Sequence, residues 1–327
     1  MNEQRAGHGG VRGIGCATTK RPIGMPCFLD EVGVVRHGPL IVDRTRFQRF
    51  IGVDLGGGKG KNTAVAVLRR HAGGVRVVKY DTGDGHPWFD ERLVSFLREQ
   101  AVAEREETGD PLAAPVLAID APLSLTACVR CREPVCPGMN ECVDPTVVWF
   151  RSHAEAQNAS LRGNGKKPLY TPYTQRATEV FLNGAEGILP RETLGQGMGP
   201  LTARAAHLVR ALASHYSLNE NLIEVYPKAT IWKLLGETAA RSYKKHHDQQ
   251  AVRLEDILQR LPGLSFGPGQ WMEYGVQNDH LFDAVICAYT AWLWATEGWE
   301  LPERDRAVFA VDGWIWTPPG ATASGTG

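Results

Sequence analysis

Residues 50–68 read FIGVDLGGGKGKNTAVAVL, and this stretch decides the fold. An apolar run ends on Asp54, glycines and lysines follow, and a second apolar run begins at Thr63. Short apolar runs bounded by glycine predict two buried strands, residues 50–54 and 63–68, joined by a glycine-rich hairpin. The carboxylate of Asp54 is therefore expected at the carboxyl end of a buried strand.

The remaining patterns predict an α/β fold with a mixed five-stranded sheet and helices on both faces. Further strands are predicted at VRVVKY (75–80), PVLAID (115–120) and NLIEVYP (221–227). Helices are predicted at 89–106, 201–217 and 279–297. Short turns between the first three strands predict an antiparallel meander, whereas the helices between later strands predict parallel crossovers. AVFAVDGWIWTP at 307–318 predicts a strand or a hairpin.

Residues 46–318 are predicted to form one domain with a loop-rich insertion at 124–198. Residues 1–45 lack sustained periodicity and predict a disordered leader, and residues 319–327 predict a disordered tail. No stretch approaches the ~18 consecutive apolar residues of a membrane span, and the first residues lack the apolar segment of a secretory signal. A cytoplasmic protein with no membrane partner is expected, and its oligomeric state stays open.

The charges of the chain balance. Lys+Arg and Asp+Glu both number 36, so the net charge is zero. A protein that coats nucleic acid through a general electrostatic attraction would need a clear basic excess. That class is disfavoured, whereas a local basic groove is not excluded.

Acidic residues stand at the ends of three predicted strands and on the last predicted helix. Asp54, Asp120 and Glu224 belong to the strands. Open α/β sheets bind ligands at the carboxyl ends of their strands, so these carboxylates are expected to converge. Asp279 and Asp283 are four residues apart on the helix and share one face. Asp283 stands in an almost wholly apolar stretch, where a carboxylate without a partner is costly.

A divalent cation would relieve the repulsion among these carboxylates. Hard oxygen ligands favour Mg²⁺ or Mn²⁺, so Asp54 and Asp120 with Glu224 or Asp283 are expected to bind such ions. Two ions about 4 Å apart are the usual apparatus for phosphodiester hydrolysis. Other interpretations stay open, because strand-end aspartates also start turns, Glu224 can pair with a lysine and Asp279 can be a helix N-cap.

The glycine-rich stretch is not a known nucleotide loop. It fails the Walker A pattern because Asn62 follows Lys61, and it fails the dinucleotide pattern because a strand follows instead of a helix. Glycines nevertheless allow a phosphate to approach the backbone, and Lys59 and Lys61 would supply positive charge there. The alternative is an ordinary flexible hairpin with solvated lysines.

Four cysteines follow the strand that ends on Asp120. Cys128, Cys131, Cys136 and Cys142 lie within CVRCREPVCPGMNEC. Four thiolates in one short loop of an intracellular chain favour a structural Zn²⁺. An iron–sulfur cluster is the second possibility, because a Cys-Pro pair also occurs in ferredoxins. Reduced thiols without a metal are the third.

Several blocks of the chain, taken in order, resemble one family. They are IGVDLGGGKGKNTAVAVL, LAIDAPL, RATEVFL, LIEVYPKATIWKLLG, DHLFDAVICAYTAW and DGWIWTP. Together they are similar to domain of unknown function 429, whose members are described as predicted nucleases of ribonuclease H-like fold related to Holliday-junction resolvases. The resemblance covers roughly residues 49–318 in scattered blocks and implies a ribonuclease H-like domain.

The resemblance also implies roles for individual residues. Five acids match the family's acidic metal site, namely Asp54, Asp120, Glu224, Asp279 and Asp283. Arg176, Glu179 and Lys228 match positions that contact substrate. The predicted function is a two-metal nuclease that acts on DNA or RNA. A phosphotransferase or ATPase of the actin and sugar-kinase type is one alternative, and a non-catalytic, zinc-containing nucleic-acid-binding protein is the other.

Overall fold

A seven-stranded mixed β-sheet forms the centre of the fold. The computed structural model of the chain describes residues 44–57, 62–83, 85–156, 170–244, 250–267 and 278–319. The predicted leader and tail lie outside the described residues, apart from Arg44 and Thr45, which begin a short 3-10 helix, and Pro319.

The sheet contains both antiparallel and parallel strand pairs. The strands are β1 Arg49–Asp54, β2 Ala64–His71, β3 Gly74–Asp81, β4 Val116–Asp120, β5 Leu222–Val225, β6 Leu264–Phe266 and β7 Ile315–Trp316. Their order across the sheet is β6-β3-β2-β1-β4-β5-β7. β1, β2 and β3 pair antiparallel, and the other neighbours pair parallel.

The predicted α/β fold with a mixed sheet is confirmed, but the prediction of five strands is wrong. The sheet gains two edge strands, β6 of three residues and β7 of two, and β7 lies within the segment 307–318 for which a strand or a hairpin was predicted. Strands this short do not show an alternating pattern of side chains, so the sequence carries no periodic signal for them.

The helices fill the connections between strands. They are α1 Asp90–Thr108, α2 Ala127–Arg130, α3 Pro145–Ala156, α4 Ala177–Glu186, α5 Gly199–Leu212, α6 Pro227–Leu235, α7 Glu237–Ser242, α8 Gln250–Gln259, α9 Asp279–Glu297 and α10 Arg306–Asp312. None of the helices in the described part of the chain is both long and apolar enough to cross a membrane.

Two segments differ from the sequence expectation. The predicted loop-rich insertion at 124–198 contains α2, α3 and α4. Asp144 accepts a hydrogen bond of 2.9 Å from the Thr146 backbone N–H and so starts α3, with Pro145 at its first position. The segment 307–318 is not a hairpin, because α10 occupies its first half and β7 follows.

Helices cover both faces of the sheet, and alternation along β1 decides which residue meets which helix. Ile51 and Val53 point to the core that α1 and α5 complete with Leu93 and Leu208. Gly52 points to the other face, where α9 crosses the sheet. A side chain at residue 52 would separate α9 from β1, so glycine there permits close packing.

Gly52→Ala is expected to lower the free energy of unfolding by about 1–3 kcal/mol or more. An added Cβ would lie 2.0 Å from the carbonyl oxygen of Ala284, so α9 would have to shift. Gly57→Ala is the control, because its added Cβ meets no atom within 4 Å. Urea denaturation followed by circular dichroism measures both variants, and equal stabilities would contradict this packing.

Candidate metal centre

Two aspartates meet at the carboxyl ends of neighbouring parallel strands. Asp54 ends β1, Asp120 ends β4, and the two residues are partners in the strand register. Asp54 is two residues from Gly52, so both point to the face that α9 covers. Asp120 shares this face because it is paired with Asp54.

Asp283 joins them from α9. It precedes Ala284, the residue whose carbonyl approaches Gly52, and its side chain is only 2% exposed. One oxygen from each of Asp54, Asp120 and Asp283 lies within 4.8 Å of the other two. We call these three residues the acidic triad.

Burial and mutual repulsion disfavour negative charge in the acidic triad. Burial, followed by the charges of Asp54 and Asp283, raises the pKa of Asp120 well above its usual range. Burial also raises the pKa of Asp283 to about 7, although the nearby Lys244 opposes this shift. The folded chain therefore binds protons here that an ordinary carboxylate would release.

The acidic triad fits a divalent cation with oxygen ligands. Asp283 Oδ1 is buried and accepts no hydrogen bond from any residue that the structure describes. Within the described ranges, the half-buried Asp120 carboxylate has no ion-pair partner either, although removal of a carboxylate from water is costly without one. Mg²⁺ and Mn²⁺ take such hard oxygen ligands, so these three carboxylates could hold either ion.

Two cationic partners of the acidic triad were not expected from the sequence. The Lys244 ammonium donates a short hydrogen bond to Asp283 Oδ2. His280 Nδ1 lies 2.6 Å from Asp54 Oδ2, and this hydrogen bond raises the pKa of the imidazole. Lys244 is 39 residues from Asp283, so no local pattern pairs them. His280 could have been found, because it is three residues before Asp283 on the same helix.

Glu224 does not join the acidic triad, and the strand register is the reason. Glu224 on β5 pairs with Ile119 and not with Asp120. Ile119 pairs with Val53 across β1, so Glu224 lies on the opposite face from Asp54. Its carboxylate instead forms a buried ion pair with Arg176. The interpretation of Glu224 as a paired core acid was therefore the better one, although its partner is an arginine and not a lysine.

Arg176 has a structural position. Its side chain is 0% exposed, and it is the N-cap residue of α4. Its guanidinium donates to Glu179 Oε1 at 3.0 Å, to Glu224 Oε2 at 2.7 Å and to the Ser124 hydroxyl at 2.8 Å. All three guanidinium nitrogens are engaged in this network, which joins α4 to β5. Arg176 also lines the cavity beside the acidic triad, and its contact with substrate stays a prediction. Glu179, also expected at the substrate, is buried in the same network.

Asp279 also lies apart from the acidic triad. It is the first residue of α9, and Asn278 is the N-cap. The Asn278 side chain accepts hydrogen bonds from the backbone N–H groups of His280 at 2.9 Å and Leu281 at 3.3 Å. The interpretation of Asp279 as the N-cap is therefore wrong by one residue. The Asp279 carboxylate, in the first turn of α9, still interacts favourably with the positive end of the helix dipole.

A cavity of about 470 Å³ opens beside the acidic triad and includes all three of its residues in its wall. Five cationic side chains line the same cavity, namely Arg176, Arg191, Lys228, Arg241 and Lys244. Within the described residues, neither Arg191 nor Lys228 forms an ion pair. Arg241 pairs only with the exposed Glu237. Lys228, which was expected to bind substrate, thus lines a cavity whose wall contains both carboxylates and cations.

The four cysteines are neighbours but do not form a ligand set in this structure. Cys128, Cys131 and Cys136 are exposed, and Cys142 is half-buried. Burial, followed by the other three thiols, raises the pKa of Cys128. Among the described residues, the acidic triad is the group whose ligand atoms lie within reach of one ion. Zinc or iron–sulfur ligation by these cysteines stays a prediction.

The glycine hairpin is described only at its base. Lys59 and Lys61 lie outside the described residues. Arg204 donates to the Gly56 carbonyl at 2.8 Å and to the Thr63 hydroxyl at 2.7 Å. This buried guanidinium joins the two ends of the hairpin to α5.

Arg176→Met is expected to lower the free energy of unfolding by about 3–5 kcal/mol, because it leaves Glu224 and Glu179 buried without their cation. The double variant Arg176→Met with Glu224→Gln should recover part of this loss, since one of the two charges is then removed. Chemical denaturation measures both variants. A single variant as stable as the wild type would show that the pair does not hold α4 to β5.

Binding of Mn²⁺ is expected to tighten about tenfold between pH 6 and pH 8, because Asp283, with a pKa of about 7, must lose its proton to become a ligand. The stability of the metal-free fold follows the opposite trend and falls as the pH rises. The Asp283 pKa of about 7 exceeds the ordinary value of 3.8, so stability is lost as the pH rises between these two values and the carboxyl ionises. Isothermal titration calorimetry at both pH values measures the affinity. Asp279→Asn should keep the pH dependence, and a pH-independent affinity would contradict this assignment.

The comparison with protein families agrees with the resemblance seen in the sequence blocks. The family model described as "Protein of unknown function (DUF429)" matches residues 52–307, which is more than half of the chain. This span includes all three residues of the acidic triad. Searches of the curated proteins and of the solved structures found no match. The chain therefore belongs to the DUF429 family.

Proposed function

We propose that this protein is a metal-dependent nuclease that hydrolyses phosphodiester bonds at the acidic triad. The observation that carries the proposal is the buried, unpartnered Asp283 Oδ1 within a cluster of three carboxylates. An acidic cluster alone would be weak support. A buried carboxylate oxygen without a hydrogen bond is costly, and a divalent cation would remove that cost.

A ribonuclease H-like relationship is part of the proposal. The five central strands run in the order β3-β2-β1-β4-β5. The first three are antiparallel, and β1, β4 and β5 are parallel. This arrangement is the one expected of a ribonuclease H-like sheet, and β6 and β7 extend it at the two edges.

The chain's own residues suit a phosphodiester substrate. Asp54, Asp120 and Asp283 would hold Mg²⁺ or Mn²⁺, and a bound metal would activate water and neutralise charge on the phosphate. Arg191 and Lys228 line the same cavity without ion pairs, so their charges are available to phosphate oxygens. His280 holds Asp54 through its Nδ1 atom, which fixes the orientation of that carboxylate.

The cysteine cluster enters the proposal as a structural zinc site. Cys128, Cys131, Cys136 and Cys142 all lie in the connection between β4 and α3. A metal there would stabilise a segment whose thiols are mostly exposed. Elemental analysis of the purified protein distinguishes zinc from iron, and a chain that contains neither metal would remove this part of the proposal.

Asp54→Asn and Asp120→Asn are each expected to lower Mn²⁺-dependent cleavage of nucleic acid by about 100-fold or more, because each removes a charged metal ligand. The assay uses single-stranded and duplex DNA and RNA and a four-way DNA junction, each with and without Mn²⁺. Asp279→Asn is the control, since Asp279 lies outside the acidic triad, and it should retain most of the activity.

The same assay separates the alternative functions. Cleavage that does not depend on metal, or that survives in Asp54→Asn, would contradict the nuclease proposal. Binding of nucleic acid without cleavage, lost when the cysteines are replaced, would support a non-catalytic zinc protein. Thermal stabilisation by ATP together with release of phosphate would support a phosphotransferase or ATPase.

A further inference from the structure

Lys244 is the residue that neutralises the most buried member of the acidic triad. The Asp283 side chain is 2% exposed, whereas the Lys244 side chain is 43% exposed. The ammonium therefore reaches Asp283 from the solvent side, through the wall of the cavity that both residues line. A long, partly exposed lysine side chain can leave without disturbing the core.

The contacts around Lys244 show what its departure would change. Its ammonium bonds to Asp283 Oδ2, while Asp283 Oδ1 remains without a partner. The acidic triad also retains His280 on Asp54. Without Lys244, Asp283 would be buried beside Asp54 and Asp120 with no positive charge bound to it. A cation is thus favoured at an ionised Asp283, and in this structure Lys244 supplies it.

A divalent ion and the Lys244 ammonium cannot both be accommodated at Asp283 without strong repulsion. A metal ion ligated by a carboxylate lies about 2.0–2.2 Å from its oxygen. An ammonium that remained hydrogen-bonded to the same carboxylate would then be only a few ångströms from the ion. Like charges at such a distance in a poorly solvated site repel strongly.

We propose that Lys244 is a resident cation of the acidic triad, which a divalent metal must displace from Asp283. Lys244 then serves two states of the protein. It keeps the carboxylates together before the metal binds, and it gives way when the metal arrives. This inference rests on the proposed metal centre, and its consequence is that the wild-type protein binds metal more weakly than its ligands alone would allow.

Titration calorimetry with MnCl₂ at pH 8 tests this competition. Lys244→Met is expected to bind Mn²⁺ about tenfold more tightly than the wild type, because the competing charge is gone. Lys244→Arg retains the charge and should bind within about threefold of the wild type. The metal-free Lys244→Met protein should also melt at a lower temperature than the wild type, and saturating Mn²⁺ should remove this difference.

Lys228→Met is the control for long-range electrostatics. It removes the same charge from the wall of the same cavity, but Lys228 does not pair with the acidic triad. It should therefore change the Mn²⁺ affinity by less than about threefold. If Lys228→Met and Lys244→Met tightened Mn²⁺ binding equally, the competition at Asp283 would be overturned. The loss of one positive charge near the cavity would then explain both results.

Two further outcomes separate this inference from the proposed function. Mn²⁺ binding that Asp283→Asn abolishes but Lys244→Met leaves unchanged or weakens would overturn the role of Lys244 and keep the metal centre. No Mn²⁺ binding by the wild type, Lys244→Met or Lys244→Arg would overturn both.

Discussion

The close contact between α9 and β1 at Gly52 is the constraint on which the candidate site depends. Because residue 52 has no side chain, the α9 backbone at Ala284 can lie against the strand. Asp283 is the preceding residue, so the same contact brings it to the end of β1 beside Asp54. The parallel register then adds Asp120 from β4. The three residues of the acidic triad are far apart in the sequence and lie close together because α9 packs against β1.

That arrangement leaves an unbalanced charge inside a chain whose total charge is zero. Lys244 and, when protonated, His280 offset part of it, and Asp120 has no such partner within the described residues. Arg191 and Lys228 line the same cavity as cations that have no carboxylate partner in the described part of the chain. Carboxylates and cations that line one cavity without pairing lower the stability of the fold. A bound metal would offset the carboxylates, and a bound phosphate would offset the cations.

Much of this could be read from the sequence, because the relevant signals are local. Apolar runs that end on an acid locate Asp54 and Asp120, and an acid inside an apolar helix marks Asp283. The central strands and the helices α1, α5 and α9 carry strong periodic patterns for the same reason. The short edge strands β6 and β7 lack such a pattern, since their two or three residues cannot show one.

The errors concern relationships that no local pattern records. Glu224 follows the same apolar pattern as Asp120, but a register offset of one residue turns it to the other face. It became the partner of Arg176, which the family resemblance had assigned to substrate. Lys244 pairs with Asp283 across 39 residues, so only the tertiary structure identifies it.

Anomalous diffraction from a crystal soaked in Mn²⁺ tests the central claim most directly. The expected result is a peak bounded by carboxylate oxygens of Asp54, Asp120 and Asp283. A saturated crystal in which these carboxylates show no peak, with manganese bound elsewhere or not at all, would contradict it.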